Sequence, residues 1–205
     1  MANLFFSRRF SIFLLIGTAF IGTSVSDLAM SAEETGFPVL GDPDAPVTMI
    51  EYSSLSCPHC AAFHADTLPQ IKETYIDTGK VKLEFRDFPL NQSALVGSVV
   101  AHCDRDRFFP FLEVLFSNQR QWASKSDPVA AVRPIARLGG LSDSQLDACM
   151  ADQELQERIL DARIKGQDEH EVASTPTFVI AGETISGNHD FDVFAEAIDA
   201  ALASN

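Results

Sequence analysis

The sequence predicts an α/β fold in which a long helical insert interrupts a small sheet. Two β-rich segments, 47–56 and 80–90, flank a segment with helical spacing at 59–77. Residues 91 to about 172 show helical periods and no convincing strand, and a hairpin is predicted at 175–187. These observations give the order strand, helix, strand, helical insert and hairpin.

The first two predicted strands form a parallel unit with the helix between them. "VTMIEYSSLS" begins with a nearly continuous apolar run, which is typical of a strand that is buried on both faces. "KVKLEFRDFPL" alternates Val81, Leu83 and Phe85 on one face. A strand, helix and strand in this order favour a right-handed parallel connection.

The rest of the chain is predicted to be mostly helical. The hairpin turns at Ala181-Gly182, and a closing amphipathic helix covers Phe191 to Leu202. Helices of the insert are predicted to break at Pro110, Asp127-Pro128, Gly139-Gly140 and Ala151-Asp152.

The first 32 residues have the pattern of a secretory signal peptide. Arg8 and Arg9 precede an apolar run at 10–25, and the small residues Ala29 and Ser31 follow it. The apolar run is shorter than the roughly 20 residues that a membrane-spanning helix needs, which favours cleavage over a membrane anchor. The arginine pair leaves both the general secretory route and the twin-arginine route open.

The predicted mature chain, 33–205, is acidic. The full chain has a formal charge of −14, and removal of residues 1–32 makes it −15. Such a charge argues against binding to nucleic acids or to anionic lipids, which need a basic surface. We therefore expect a soluble, monomeric protein in the periplasm or outside the cell, where disulfides persist.

The four cysteines include one closely spaced pair, Cys57 and Cys60, in "SCPHC". A zinc site usually takes four Cys or His ligands, and the other cysteines stand far apart in the sequence. A structural disulfide across so short a loop would restrict the unfolded chain little. A working redox couple is the favoured interpretation, with no metal and no cofactor.

The local sequence suits a reactive thiolate at Cys57. The pair follows a predicted strand and opens a predicted helix, where free backbone N–H groups and the helix dipole lower the pKa of a thiol. Pro58 fits the first helical position, because the N–H that it lacks would have no partner there. His59 can add a hydrogen bond or a positive charge.

The stretch "EYSSLSCPHC", the interrupted α/β layer and "STPTF" together resemble the DsbA family of thioredoxin-fold thiol:disulfide oxidoreductases. The resemblance implies a thioredoxin-like domain over 33–205 with an α-helical insert at about 91–172. It also implies that Cys57 is the exchanging sulfur and Cys60 the resolving thiol. Thr175 and Pro176 would form a cis-proline loop that borders the substrate groove. From the sequence without the resemblance, Pro176 is merely the start of an edge strand.

Four further residues carry predictions. Glu51 either faces solvent or, as the resemblance implies, lies buried beneath the active site and exchanges protons with Cys60. His64 is predicted to lie on a helix surface. Cys103 is expected to begin one helix and Cys149 to end another; they are expected to form a disulfide, with two unpaired core thiols as the alternative.

The sequence therefore predicts an exported enzyme that forms disulfide bonds in polypeptides by exchange through Cys57 and Cys60. The resemblance implies a membrane DsbB-like partner that reoxidises it. One alternative is a reductase or isomerase that a thiol donor keeps reduced. Another is a polypeptide-binding or zinc-binding module without turnover.

Overall fold

A mixed sheet of five strands lies at the centre of the molecule. The structure is a computed structural model that describes residues 36–204, so the predicted signal peptide at 1–32 lies outside the described residues. The strands are β1 (Val39–Leu40), β2 (Val47–Ser53), β3 (Val81–Asp87), β4 (Thr177–Ile180) and β5 (Glu183–Ser186). Their order across the sheet is β1-β3-β2-β4-β5.

The pairing of the strands agrees with the predicted α/β unit. β2 and β3 are parallel, and the other three pairs are antiparallel. β2 lies between β3 and β4, so that Glu51 is opposite Phe85 on one side and Phe178 on the other. The two-residue strand β1 was not predicted, because it is too short to show a pattern.

Helices cover both faces of the sheet. The first helical run, α1 (residues 58–76), alternates α-helical turns at Pro58–Ala62 and Leu68–Ile71 with π-helical turns at Phe63–Thr67 and Lys72–Ile76. The others are α2 (Gln92–His102), α3 (Phe108–Ser117), α4 (Gln119–Trp122), α5 (Pro128–Leu138), α6 (Asp143–Ala151), α7 (Gln153–His170) and α8 (Phe191–Ser204). Helices α2 to α7 form the insert between β3 and β4, which confirms the predicted interruption of the sheet.

Two details of the predicted insert are wrong. Pro110 does not break a helix but occupies the first turn of α3, where a backbone N–H has no intrahelical partner to lose. Cys103 does not begin a helix but follows the last residue of α2 as its C-terminal cap. Cys149 lies in the last turn of α6, as predicted.

Two hydrophobic clusters hold the sheet and the insert together. One lies between the sheet and helices α1 and α8, around Phe63, Phe178 and Phe194. The other fills the insert and includes Cys57 and Cys60. The insert therefore packs directly against the two cysteines. In residues 36–204, none of the helices has the length and apolar character needed to cross a bilayer.

Candidate active site

Cys57 and Cys60 lie where the chain passes from the sheet into α1. Cys57 is the N-terminal cap, with extended backbone, and Pro58 is the first helical residue. The backbone N–H of Cys57 donates to the carbonyl of Ser54 at 2.9 Å, which closes a tight turn after β2. Both thiols are free. The local signals in "SCPHC" thus correctly predicted this junction.

The surroundings of Cys57 lower its pKa to about 5. The largest contribution is the hydrogen bond from the Cys60 thiol, which outweighs the opposing effect of burial. The side chain of Thr175 and the backbone N–H groups of Cys60 and His59 lower the pKa further. These groups favour the thiolate because each donates toward the negative sulfur.

Cys60 has the opposite character. Burial raises the pKa of its thiol far above the usual range, and the nearby Cys57 sulfur raises it further. The Ser53 side chain and the Ser54 backbone lower this pKa but do not offset the burial. At neutral pH, Cys57 is therefore the thiol suited to act as a nucleophile, and Cys60 remains a neutral thiol.

The loop before β4 lies against the Cys57 sulfur. The Thr175-Pro176 peptide bond is cis. The thiol of Cys57 donates to the Thr175 carbonyl, with 3.3 Å between sulfur and oxygen. The Thr175 hydroxyl is also buried, and it lies close enough to the Cys57 sulfur to lower its pKa. The structure thus brings residues 118 positions apart into one site.

Glu51 of β2 and His64 of α1 form a buried pair between the sheet and the helix. Glu51 is fully buried, so the solvent-facing alternative for this residue is wrong. His64 Nε2 lies 2.9 Å from Oε1 and 3.1 Å from Oε2 of the carboxylate. The predicted surface position of His64 is also wrong, because only 9% of its side chain is exposed. Its ring packs on Phe116 of α3, with 4.4 Å between ring centroids.

His59 is placed differently from the other residues of the motif. Its side chain is exposed, and its imidazole makes no hydrogen bond within residues 36–204. The residue lowers the pKa of Cys57 through its backbone N–H. A direct effect of the imidazole remains a prediction.

Gln119 is a site residue that the sequence did not indicate. Its buried side-chain amide donates to the carbonyls of Leu55 and Cys57, both at 2.9 Å. These two bonds tie the first residue of α4 to the turn that carries Cys57. A glutamine in a helical insert carries no pattern that distinguishes such a role, so only the tertiary structure reveals it.

The other two cysteines form a disulfide. Cys103 and Cys149 are joined, with 5.7 Å between their Cα atoms, and the bond connects the ends of α2 and α6. Both residues are half-buried beside the hydrophobic clusters of the insert. The disulfide lies within the insert and includes neither residue of the CPHC motif.

Comparisons with known proteins agree with this architecture. A family model described as "Thioredoxin" matches residues 33–200. The crystal structure of Wolbachia pipientis alpha-DsbA1 is 31% identical in sequence, with a TM-score of 0.76 over 82% of this chain and 92% of that one. Disulfide bond formation protein D of Bacillus subtilis is 29% identical over 82% of this chain and 78% of its own length.

A third relative is longer than this chain. The putative protein-disulfide oxidoreductase of Rickettsia bellii is 28% identical over 80% of this chain, and the match covers 64% of the relative. For four further Rickettsia relatives the covered share is between 59% and 61%. The chain thus spans about three fifths of the length of these relatives. The fold, the family model and the alpha-DsbA1 structure show that the chain belongs to the thioredoxin family, within its DsbA-like group.

Proposed function

We propose that this protein is an exported thiol:disulfide oxidoreductase that forms disulfide bonds in polypeptides through Cys57 and Cys60. The observation that carries the proposal is the difference between the two thiols. The pKa of Cys57 is lowered to about 5, whereas burial raises that of Cys60. A stabilised thiolate favours the reduced form of the pair, so the oxidised form tends to pass its disulfide to another protein.

The reaction consists of two exchanges. A substrate thiolate attacks the Cys57 sulfur of the oxidised pair, the bond to Cys60 breaks, and Cys60 leaves with the electron pair and takes up a proton. A second substrate thiolate then attacks the substrate sulfur of this mixed disulfide, and Cys57 leaves as a thiolate. The substrate loses two electrons, and the enzyme gains them as a dithiol.

The loop at Thr175 and Pro176 is proposed to border the bound polypeptide. Its carbonyl lies 3.3 Å from the sulfur that the substrate must reach. The substrate is an unfolded or folding exported polypeptide with free thiols.

A DsbB-like membrane partner is proposed to take the two electrons and restore the Cys57–Cys60 disulfide. Residues 1–32 are proposed to be the signal peptide, which N-terminal sequencing of the exported protein would test.

Glu51 is proposed to exchange the proton of Cys60. Its carboxylate is fully buried on the same face of β2 as Ser53, whose side chain affects the pKa of Cys60. Glu51→Gln should preserve the fold and slow both reduction and reoxidation of the pair. Stopped-flow rates equal to those of the wild type would exclude this role.

Two assays test the proposed function. The first is thiol-dependent reduction of insulin, with Cys57→Ser as the control; its absence in the wild type would leave only a binding function. The second mixes the oxidised protein with a reduced, unfolded polypeptide in equal amounts. We expect disulfides to appear in the polypeptide as Cys57 and Cys60 become reduced. An oxidised protein that leaves the polypeptide reduced would favour the reductase or isomerase alternative.

A further inference from the structure

Glu51 has no direct route by which to exchange protons with water. Its side chain is fully buried, and its strand lies between β3 and β4. A carboxyl group that gives its proton to Cys60 becomes a carboxylate and must regain a proton in every cycle. The group that connects Glu51 to solvent is therefore part of the same reaction.

His64 occupies the position between Glu51 and an open cavity. Its Nε2 lies within hydrogen-bond distance of both carboxylate oxygens. The same residue lines a cavity of about 910 Å³ between α1 and the insert helices α3 and α4. An imidazole has two nitrogens on opposite sides of the ring, and it can accept a proton at one and release a proton from the other.

The geometry of β2 and α1 aligns this pair with the cysteines. Glu51 and Ser53 are two residues apart on one face of the strand. Cys60 and His64 are four residues apart on one side of α1. Because Glu51 contacts His64 and Ser53 affects the Cys60 thiol, the two contacts lie side by side beneath the helix. The Ser53 hydroxyl is buried and lowers the pKa of the Cys60 thiol, so it lies close to that sulfur.

We propose that His64 is the proton carrier that links Glu51 to the water of this cavity. This inference rests on the proposed function. When Cys60 leaves as a thiolate, Glu51 gives up its proton, and the Ser53 hydroxyl or a water bridges the remaining gap. His64 then passes its Nε2 proton to Glu51 and takes one from water at Nδ1. Reoxidation moves one proton outward by the reverse steps, so a full cycle restores the starting tautomer.

The charged groups around His64 fit this role. Glu51 faces it from the sheet, Lys72 shares its helix, and Glu113 and Arg120 line the cavity from the insert. Histidine is the side chain among these types that gains and loses protons most readily near neutral pH. The cavity is also large enough to admit a free imidazole, which makes the proposal open to chemical rescue.

The experiment measures reduction of the Cys57–Cys60 disulfide by dithiothreitol in a single turnover at pH 7, with acid quenching and alkylation. His64→Ala should slow the reaction at least about tenfold, since general acid–base groups typically contribute more than this. His64→Gln keeps a hydrogen bond to Glu51 but cannot carry a proton, so it should be equally slow. Added imidazole should restore much of the rate of His64→Ala, and sodium chloride at equal ionic strength should not.

His102→Ala is the matched control, because His102 also pairs with a buried carboxylate. Its Nε2 lies 2.7 Å from Asp87 rather than from Glu51, and it lines a different cavity from the one that His64 lines. This variant should react at the wild-type rate with or without imidazole. Wild-type rates in His64→Ala or His64→Gln would overturn the proposal, as would a slow His64→Ala that imidazole does not rescue. A wild-type protein whose disulfide is not reduced at all would remove the proposed function itself.

Discussion

The two cysteine pairs of this chain lie at opposite ends of helices, and this difference separates the proposed reactive pair from the pair that forms a disulfide. Cys57 and Cys60 open α1, where backbone N–H groups point at the sulfur. Cys103 and Cys149 lie at the C-terminal ends of α2 and α6, where the helix dipole opposes a thiolate. The same side chain is therefore proposed to serve exchange in one region, and it forms a cross-link in the other.

The two pairs also differ in the length of the chain loop that each disulfide closes. The Cys57–Cys60 bond would close a sequence separation of three, whereas the Cys103–Cys149 bond closes a sequence separation of 46. The chain-entropy model assigns little stabilisation to the short loop and much more to the long one. The proposed reactive pair would thus contribute little to stability when it forms a disulfide, whereas the Cys103–Cys149 disulfide is expected to stabilise the insert.

The largest expected difference is in activity. Cys57→Ser should abolish disulfide exchange, because it removes the nucleophile. The double variant Cys103→Ala/Cys149→Ala should keep a rate close to that of the wild type, because its disulfide includes neither Cys57 nor Cys60. Insulin reduction by the wild type, by Cys57→Ser and by the double variant measures both expected effects on the rate. Loss of activity in the double variant, with its fold intact by circular dichroism, would contradict the assignment of exchange to Cys57 and Cys60 alone.

The second difference is in stability. Removal of the Cys103–Cys149 disulfide should lower the free energy of unfolding by up to about 4 kcal/mol, as the loop-entropy model gives for a separation of 46 residues. Denaturant titration of the double variant measures the loss. Mass spectrometry of the unreduced wild type should find the two residues in one cross-linked peptide. Free, alkylatable thiols at both positions would exclude the disulfide.

The third difference is in the effect of pH on the reduced protein. The folded-state pKa of Cys57, about 5, lies below that of an unfolded cysteine, so the stabilisation is complete at high pH and is lost as the pH falls through 5. Between pH 5 and pH 7, the reduced form should gain about 2 kcal/mol of stability that the oxidised form does not gain. Denaturant unfolding of the reduced and the oxidised protein between pH 5 and pH 7 measures this difference in stability. Parallel pH profiles would show that Cys57 is not a stabilised thiolate.

The smallest expected effect concerns His59. Its exposed imidazole can contribute only a screened charge, whereas the backbone N–H groups remain when the side chain is removed. His59→Ala should therefore raise the pKa of Cys57 by about half a unit and make the pair slightly less oxidising. Ultraviolet absorbance of the thiolate against pH gives the value. A shift of several units would assign the main role to the imidazole.

Local sequence patterns predicted the parts of the site that depend on neighbouring residues. The strand-to-helix junction at "SCPHC" follows from an apolar run, a helix-starting proline and helical spacing, all within one stretch. The hairpin turn at Ala181-Gly182 was also predicted from neighbouring residues. In the structure, both residues of this turn have positive φ. These features need no information about distant parts of the chain.

Contacts between distant elements could not be predicted in the same way. The amide of Gln119 reaches the Cys57 carbonyl across 62 positions, and no pattern in the insert signals it. His64 was assigned to the surface because helical spacing does not show that α3 covers this side of α1 with Phe116. The hydrogen bond of Gln119 and the burial of His64 both depend on how the insert packs against α1.

The redox equilibrium of the Cys57–Cys60 pair with glutathione tests the central claim most directly. The protein is equilibrated over a range of glutathione ratios, and the reduced fraction is measured by alkylation and mass. If Cys57 is a stabilised thiolate and the protein donates disulfides, the potential should lie between about −180 and −120 mV, the range of known disulfide isomerases and oxidases. A potential near the roughly −270 mV of thioredoxin would contradict the account and identify a reductant.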